Sequence, residues 1–157
     1  MSLTNERNKD VDTATVQRLL DESELRKLMQ ALPRALDERD FDGFGALFAE
    51  DAVMEIGREV RRGRQAITDG PWRDLLKHYE ATYHQLGQMY VDIDEDDATI
   101  LAYIFAYHLP KASEPMTHED AGGKYHVVAR RTEDGWRIMR CRIEVVLTQG
   151  APLSIDV

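Results

Sequence analysis

Tyr83-His84-Gln85-Leu86-Gly87-Gln88-Met89-Tyr90-Val91-Asp92-Ile93 is the stretch at which the hydrophobic repeat of the chain changes. Before it, apolar residues recur three and four positions apart, as on one face of a helix. From it onward they alternate, with Met89, Val91 and Ile93 separated by polar neighbours, as on one face of a strand. Downstream, Asp94–Asp97 makes a turn and Thr99–His108 a long strand. Leu109–Gly122 reads as a loop with two prolines and Lys124–Thr132 as a strand. Glu133-Asp134-Gly135 is a hairpin signal before a last strand, Trp136–Leu147.

Upstream of the switch the chain is helical. A short helix is expected over Val11–Leu20. Asp21 followed by Glu24 reads as a variant capping box that opens a second helix over 22–38, carried by Leu25, Leu28, Met29, Leu32 and Leu36 and bent at Pro33. Asp40 can cap a further helix with Phe41, Phe44, Leu47 and Phe48 on one face. Ala52–Ile56 is a short strand, and Gly57 and Gly63 bracket a charged hairpin or loop. Asp69-Gly70-Pro71 opens a third main helix with Trp72, Leu75, Leu76 and Tyr79 as its buried stripe. Helices first and strands after predict an α+β fold with an antiparallel sheet. One domain is expected over 13–150, between loose tails at 1–12 and 151–157.

Composition narrows the function classes. The 157 residues are 43% hydrophobic and 31% charged, with a formal net charge of −9. Such a balance disfavours nucleic acid and anionic membranes as partners, since both reward a basic surface. The polar start MSLTNERNKD carries no apolar export signal, and no stretch approaches the ~20 apolar residues of a membrane span, so a cytoplasmic address is expected. A lone Cys141 excludes an internal disulfide and reads as a buried small hydrophobe. Arg58, Arg61, Arg62 and Arg64 read as solvated loop charge, and Asp92, Asp94, Glu95, Asp96 and Asp97 as a solvated acidic turn without calcium-loop spacing. No histidine and carboxylate spacing suits zinc, so no metal is expected.

The chain resembles the SnoaL-like branch of the nuclear-transport-factor-2-like superfamily over about residues 20–148. The pieces that carry the resemblance are Ala35-Leu36-Asp37-Glu38-Arg39-Asp40-Phe41-Asp42, Leu47-Phe48-Ala49-Glu50-Asp51-Ala52-Val53, Arg62-Gly63-Arg64-Gln65-Ala66-Ile67, Tyr83-His84-Gln85-Leu86-Gly87 and Asp134-Gly135-Trp136-Arg137-Ile138. The resemblance implies a cone-shaped, curved antiparallel sheet with three N-terminal helices on its concave face, an apolar pocket between them, and a homodimer or higher homo-oligomer. Members include scytalone dehydratase-like lyases, a dehydrochlorinase, polyketide cyclases, steroid isomerases, epoxide hydrolases and non-catalytic assembly domains. Fold alone therefore leaves the function open.

Asp37 and His84 fall on the positions where the dehydratase and dehydrochlorinase members carry a catalytic pair. Histidine titrates near neutral pH and can take a proton, while a carboxylate on its other ring nitrogen fixes the tautomer. The resemblance makes His108 a second catalytic candidate, as an acid or a substrate-orienting group. Tyr103, Tyr107 and Tyr125 are candidates for holding a substrate carbonyl. His126, Leu32 and Trp72 complete the candidate substrate-binding set. Period-two alternation separates Tyr103 and Tyr107 from His108. His78 and His118 read as solvated. Leu32 or its neighbourhood stands where such lyases often carry a helix tyrosine, which removes one donor. The expected function is a cofactor-independent dehydratase or isomerase for a small, cyclic, hydrophobic substrate. The competing expectation is a non-catalytic binding or dimeric assembly module.

Overall fold

The computed structural model describes residues 12–70 and 72–151. The expected tails at 1–12 and 151–157 fall outside the described residues apart from Asp12 and Ala151, as does Pro71. The elements are α1 (Thr13–Asp37), α2 (Phe41–Ala46), β1 (Phe48–Ile56), β2 (Glu59–Arg62), α3 (Arg64–Thr68), α4 (Trp72–Leu75) with a 3₁₀ turn at Leu76–His78, β3 (Ala81–Asp94), β4 (Asp97–Leu109), β5 (Glu119–Thr132) and β6 (Gly135–Gly150). This is the expected α+β class. The six strands form one curved, unclosed sheet in the order β2-β1-β6-β5-β4-β3.

The two helices expected over Val11–Leu20 and 22–38 are one helix. Asp12 caps it, accepting a hydrogen bond from the Thr15 N–H. Asp21, expected as a cap, is instead buried mid-helix. Its carboxylate receives both terminal nitrogens of Arg131, at 2.7 and 2.8 Å, and that guanidinium lies over the Trp136 ring. A buried carboxylate needs such a partner, and this one ties the helix to the β5–β6 hairpin. The helix runs through Pro33.

Asp40 does cap α2. The third main helix is shorter than expected, since only Trp72–Leu75 is α-helical, and α3 was not foreseen. The last strands are longer than the sequence suggested; β5 begins at Glu119, inside the expected loop. The sheet is also not wholly antiparallel. β1 runs parallel to β6, because the helices and the β3–β5 meander intervene before the chain returns to β1's side. The charged run 58–64 is a hairpin, with β2 paired to β1.

Leu25, Met29, Leu32, Phe44, Phe48, Ile67, Ile138 and Cys141 form the fully buried centre between α1 and the sheet. Burial pushes the Cys141 thiol up to about 12. The acidic turn is tied down by arginines: Arg130 bonds Asp97 and Arg131 bonds Asp96. No described helix is long and apolar enough to cross a membrane.

Candidate active site

The site begins where α1 stops. The N–H of Arg39 bonds the Leu36 carbonyl and that of Asp40 the Ala35 carbonyl, the double bond of a Schellman C-cap. The cap fixes the last helical residue, Asp37, with its carboxylate against the start of β3.

β3 supplies the histidine, and its register explains why. Thr82, His84 and Leu86 face His108, Ala106 and Ile104 of β4, whereas Met89, Val91 and Ile93 face Ala102, Ile100 and Ala98. The inward set changes from even to odd numbers across an irregularity between Leu86 and Met89. An unbroken alternation would have put His84 and Met89 on opposite faces; a bulge keeps both inside.

Three donors converge on Asp37. His84 Nδ1 lies 2.7 Å from Oδ1, the His84 backbone N–H donates to Oδ2 at 3.0 Å, and the Thr82 hydroxyl donates to Oδ1 at 2.8 Å. Burial alone would raise the carboxyl pKa. The His84 hydrogen bonds, the His84 charge and the Thr82 hydroxyl outweigh it and hold the group below its ordinary value. An ionised Asp37 only accepts, so His84 Nδ1 carries the proton and Nε2 carries a lone pair. Nε2 has no hydrogen-bond partner among the described residues. The His84 side chain is 8% exposed.

The ring lies in the wall of a cavity of about 80 Å³, with His108, Tyr125, Ile56, Ile143 and Val145 among its neighbours. Gly123 belongs to this wall for a steric reason. A Cβ there would meet the Glu144 carbonyl oxygen at 2.2 Å. The register of β5 against β6 shifts at Gly122/Gly123, which bends the sheet around the pocket.

His108 stands edge-on to His84 with ring centres 5.4 Å apart. Its Nδ1 lies 2.8 Å from the Glu119 carbonyl oxygen, which can only accept. Desolvation lowers its pKa against the pull of that carbonyl, so the ring favours the neutral form and Nε2 holds a lone pair. Beside it, the Tyr79 hydroxyl donates to the Glu119 carboxylate. Tyr125 is buried, and its hydroxyl has no hydrogen-bond partner among the described residues. Burial, then the Cys141 and Asp37 charges, push its pKa far up, so it stays a donor.

The remaining candidates lie elsewhere. Tyr103 and Tyr107 are exposed on the outer face of the sheet, with Tyr83 packed on Tyr107 and Lys124 over the Tyr103 ring. They border a separate depression of about 360 Å³ lined by Gln85, Phe105, Lys124 and Leu147. It is larger than the dyad cavity but has no proton-transfer pair in its wall. His126 also faces outward and pairs with Glu144. Leu32 is fully buried core and does not line the cavity. Trp72 packs on Phe44, away from the dyad. His78 is exposed as expected, but His118 is not free in solvent: its Nδ1 lies 2.8 Å from the carboxylate of buried Asp120. Thr82, Arg39 and Tyr79 were missed. A hydroxyl two residues before His84 was the available signal for the first.

A SnoaL-like domain model matches residues 17–142. The chain belongs to the SnoaL-like domain family. Solved structures of this fold include a scytalone dehydratase candidate from Novosphingobium aromaticivorans, at 18% identity and a TM-score of 0.78, covering 90% of this chain and 98% of that one. A hexachlorocyclohexane dehydrochlorinase, LinA type 2, is 15% identical with a TM-score of 0.75, covering 89% and 99%. A nuclear-transport-factor-2-like protein with a cystatin-like fold, also from N. aromaticivorans, is 24% identical with a TM-score of 0.73, covering 86% and 90%. Curated proteins give no match. At these identities the likeness establishes that the SnoaL-like chain shares the fold of dehydratase- and dehydrochlorinase-type proteins.

Proposed function

We propose that this SnoaL-like protein is a cofactor-independent lyase or isomerase that removes a proton from carbon beside a carbonyl. The observation that carries the reading is the 2.7 Å Asp37–His84 pair with its free Nε2 in a cavity wall. His84 Nε2 takes the proton, and Asp37 steadies the imidazolium. The Tyr125 hydroxyl donates to the carbonyl oxygen as charge builds there. In a dehydration the C–O bond of a β-hydroxyl then breaks, the imidazolium returns its proton to the departing oxygen, and water leaves. In an isomerisation the same proton returns to a different carbon.

Of the two roles expected for His108, acid or substrate-orienting group, this reading takes the second. Neutral, with its Nε2 lone pair exposed, it accepts a hydrogen bond from the substrate hydroxyl. The cavity offers two acceptors and one donor, which suits a β-hydroxy ketone. At about 80 Å³ it is well below the ~300 Å³ of ordinary ligand pockets, so it takes the reacting end of a small molecule. The test is a panel of small cyclic and open β-hydroxy ketones, followed by enone absorbance. His84→Ala should abolish turnover with the fold intact by circular dichroism. Turnover at the wild-type rate in that variant would remove His84 from the mechanism.

The same small cavity, with Leu32 in place of a helix tyrosine, favours a second reading as an assembly module. Tyr83, Tyr90, Tyr103, Tyr107, Val146 and Leu147 are exposed on strands β3, β4 and β6. In this reading that surface joins two copies, and sedimentation would find a dimer that Tyr103→Glu weakens.

A further inference from the structure

The left-handed backbone at Arg39 is the starting point. Its φ is +59°, one residue past the Glu38 C-cap, where glycine is the usual residue. A side chain there costs about 1 kcal/mol in backbone energy relative to glycine. The side chain is also engaged. Nη1 donates to the Leu36 carbonyl and to the Thr82 hydroxyl oxygen, each at 2.8 Å, and Nη2 donates to the Tyr79 carbonyl at 3.2 Å.

These contacts impose a direction. A guanidinium only donates, so Thr82 Oγ1 must accept from it. The single hydroxyl proton of Thr82 is then committed to Asp37 Oδ1, the same oxygen that receives His84 Nδ1. The order is Arg39 to Thr82 to Asp37, with His84 donating into the same carboxylate.

We propose that Arg39 and Thr82 are positioning residues that set the basicity of His84 by drawing charge away from the Asp37 carboxylate. The proposal deepens the lyase reading and rests on it for its functional consequence. A bare carboxylate holds an imidazolium tightly and makes its ring slow to give the proton back. A carboxylate that already carries a cation-anchored hydroxyl holds it less tightly. The carboxylate stays in place without this arm, because the His84 backbone N–H still holds Oδ2. Loss of the arm should therefore raise the His84 pKa rather than release the ring.

His84 is faced by Asp37 from α1, His108 from β4 and Tyr125 from β5, and all three stay unchanged in the variants proposed. The experiment titrates the His84 ring by NMR in the full-length wild type and in Thr82→Val, Thr82→Ser and Arg39→Gln, with the resonance assigned by its loss in His84→Ala. Thr82→Ser keeps the hydroxyl and should titrate with wild type. Thr82→Val and Arg39→Gln should titrate about half a unit higher. On a substrate that is turned over, the acid limb of kcat/KM should move up by the same amount, and kcat should fall about tenfold while KM holds. A single His84 pKa across all four proteins, or a downward shift in Thr82→Val, overturns the proposal. The titration needs no substrate. A shifted pKa in a protein without turnover would sink the lyase reading and leave this one standing.

Discussion

Replacing Asp37 with asparagine preserves the shape of the side chain and removes one acceptor and the charge. In the wild type three donors converge on two oxygens. An amide offers one oxygen. If that oxygen takes the place of Oδ1, it accepts from Thr82 and His84 Nδ1, but the NH₂ then opposes the His84 backbone N–H and orphans it. If it takes the place of Oδ2, the NH₂ faces Nδ1, and the imidazole must move its proton to Nε2. The base is then capped. Either arrangement forfeits a charge-assisted hydrogen bond worth about 1.5–3 kcal/mol, and the first adds an orphaned N–H of about 1–3 kcal/mol. The Asp37 side chain is 24% exposed, which places the expected loss at the lower end of the summed range, ~2.5–3 kcal/mol. For a chain of this length that is a fall in Tm of about 5–10 °C. The wild-type advantage should be complete at neutral pH. Asp37 has a lowered folded pKa, so its contribution is present above the unfolded value of ~3.8 and is lost as pH falls through the folded value. Urea denaturation repeated from pH 7 down through the acid range reads the decline. Turnover should fall about 10³–10⁴-fold if the ring is trapped in the wrong tautomer. A variant as stable as wild type at pH 7, or one within tenfold of its turnover, would refute the reasoning.

Other expectations follow from the same structure. His108 is held neutral by burial, so the unfolded chain binds a proton that the native chain refuses between pH ~6.5 and the lower folded pKa. Stability should therefore fall as pH drops through that window, and His108→Gln should flatten the dependence seen in denaturation midpoints. Asp21→Ala leaves Arg131 beside Trp136 with two of its three carboxylate hydrogen bonds gone, and Arg131 is partly exposed. About 2–3 kcal/mol should be lost, read from urea curves, and an unchanged midpoint would remove this pair from the account. Gly123→Val places a Cβ against the Glu144 carbonyl and should destabilise the β5–β6 pair by more than 2 kcal/mol, measurable as an early thermal transition. Cys141 should not react with a thiol reagent until the protein unfolds, and rapid labelling under native conditions would contradict its burial.

Much of this arrangement was legible in the chain because its parts are local. The Leu25 to Leu36 spacing marks the core face of α1, Asp40 marks the start of α2, and the alternation after Leu86 marks the meander. The Asp37/His84 pairing came from resemblance, since nothing in the spacing of two residues 47 positions apart says that they touch. The misreadings have physical reasons. Asp21 looks like a helix cap because an aspartate ordinarily avoids a helix interior; only Arg131, 110 residues away, makes it stable there. Tyr103 and Tyr107 look like pocket residues because aromatic strand positions usually face a core, yet parity with His108 puts them outside. The bulge between Leu86 and Met89 was hidden, because an inserted residue leaves the local composition unchanged and only alters which parity points inward. Arg39 gave no signal in sequence: its significance is a positive φ and a path of donors, both properties of the folded chain.

The most direct measurement is the long-range ¹H–¹⁵N spectrum of the His84 ring in the wild-type protein at neutral pH. A proton-transfer pair of the kind described here has the proton on Nδ1, toward Asp37, and a free lone pair on Nε2, toward the cavity. That tautomer is expected, with Nε2 resonating as an unprotonated nitrogen. A ring protonated at Nε2 and bare at Nδ1 would mean that Asp37 does not hold it as a base, and the central claim would fall.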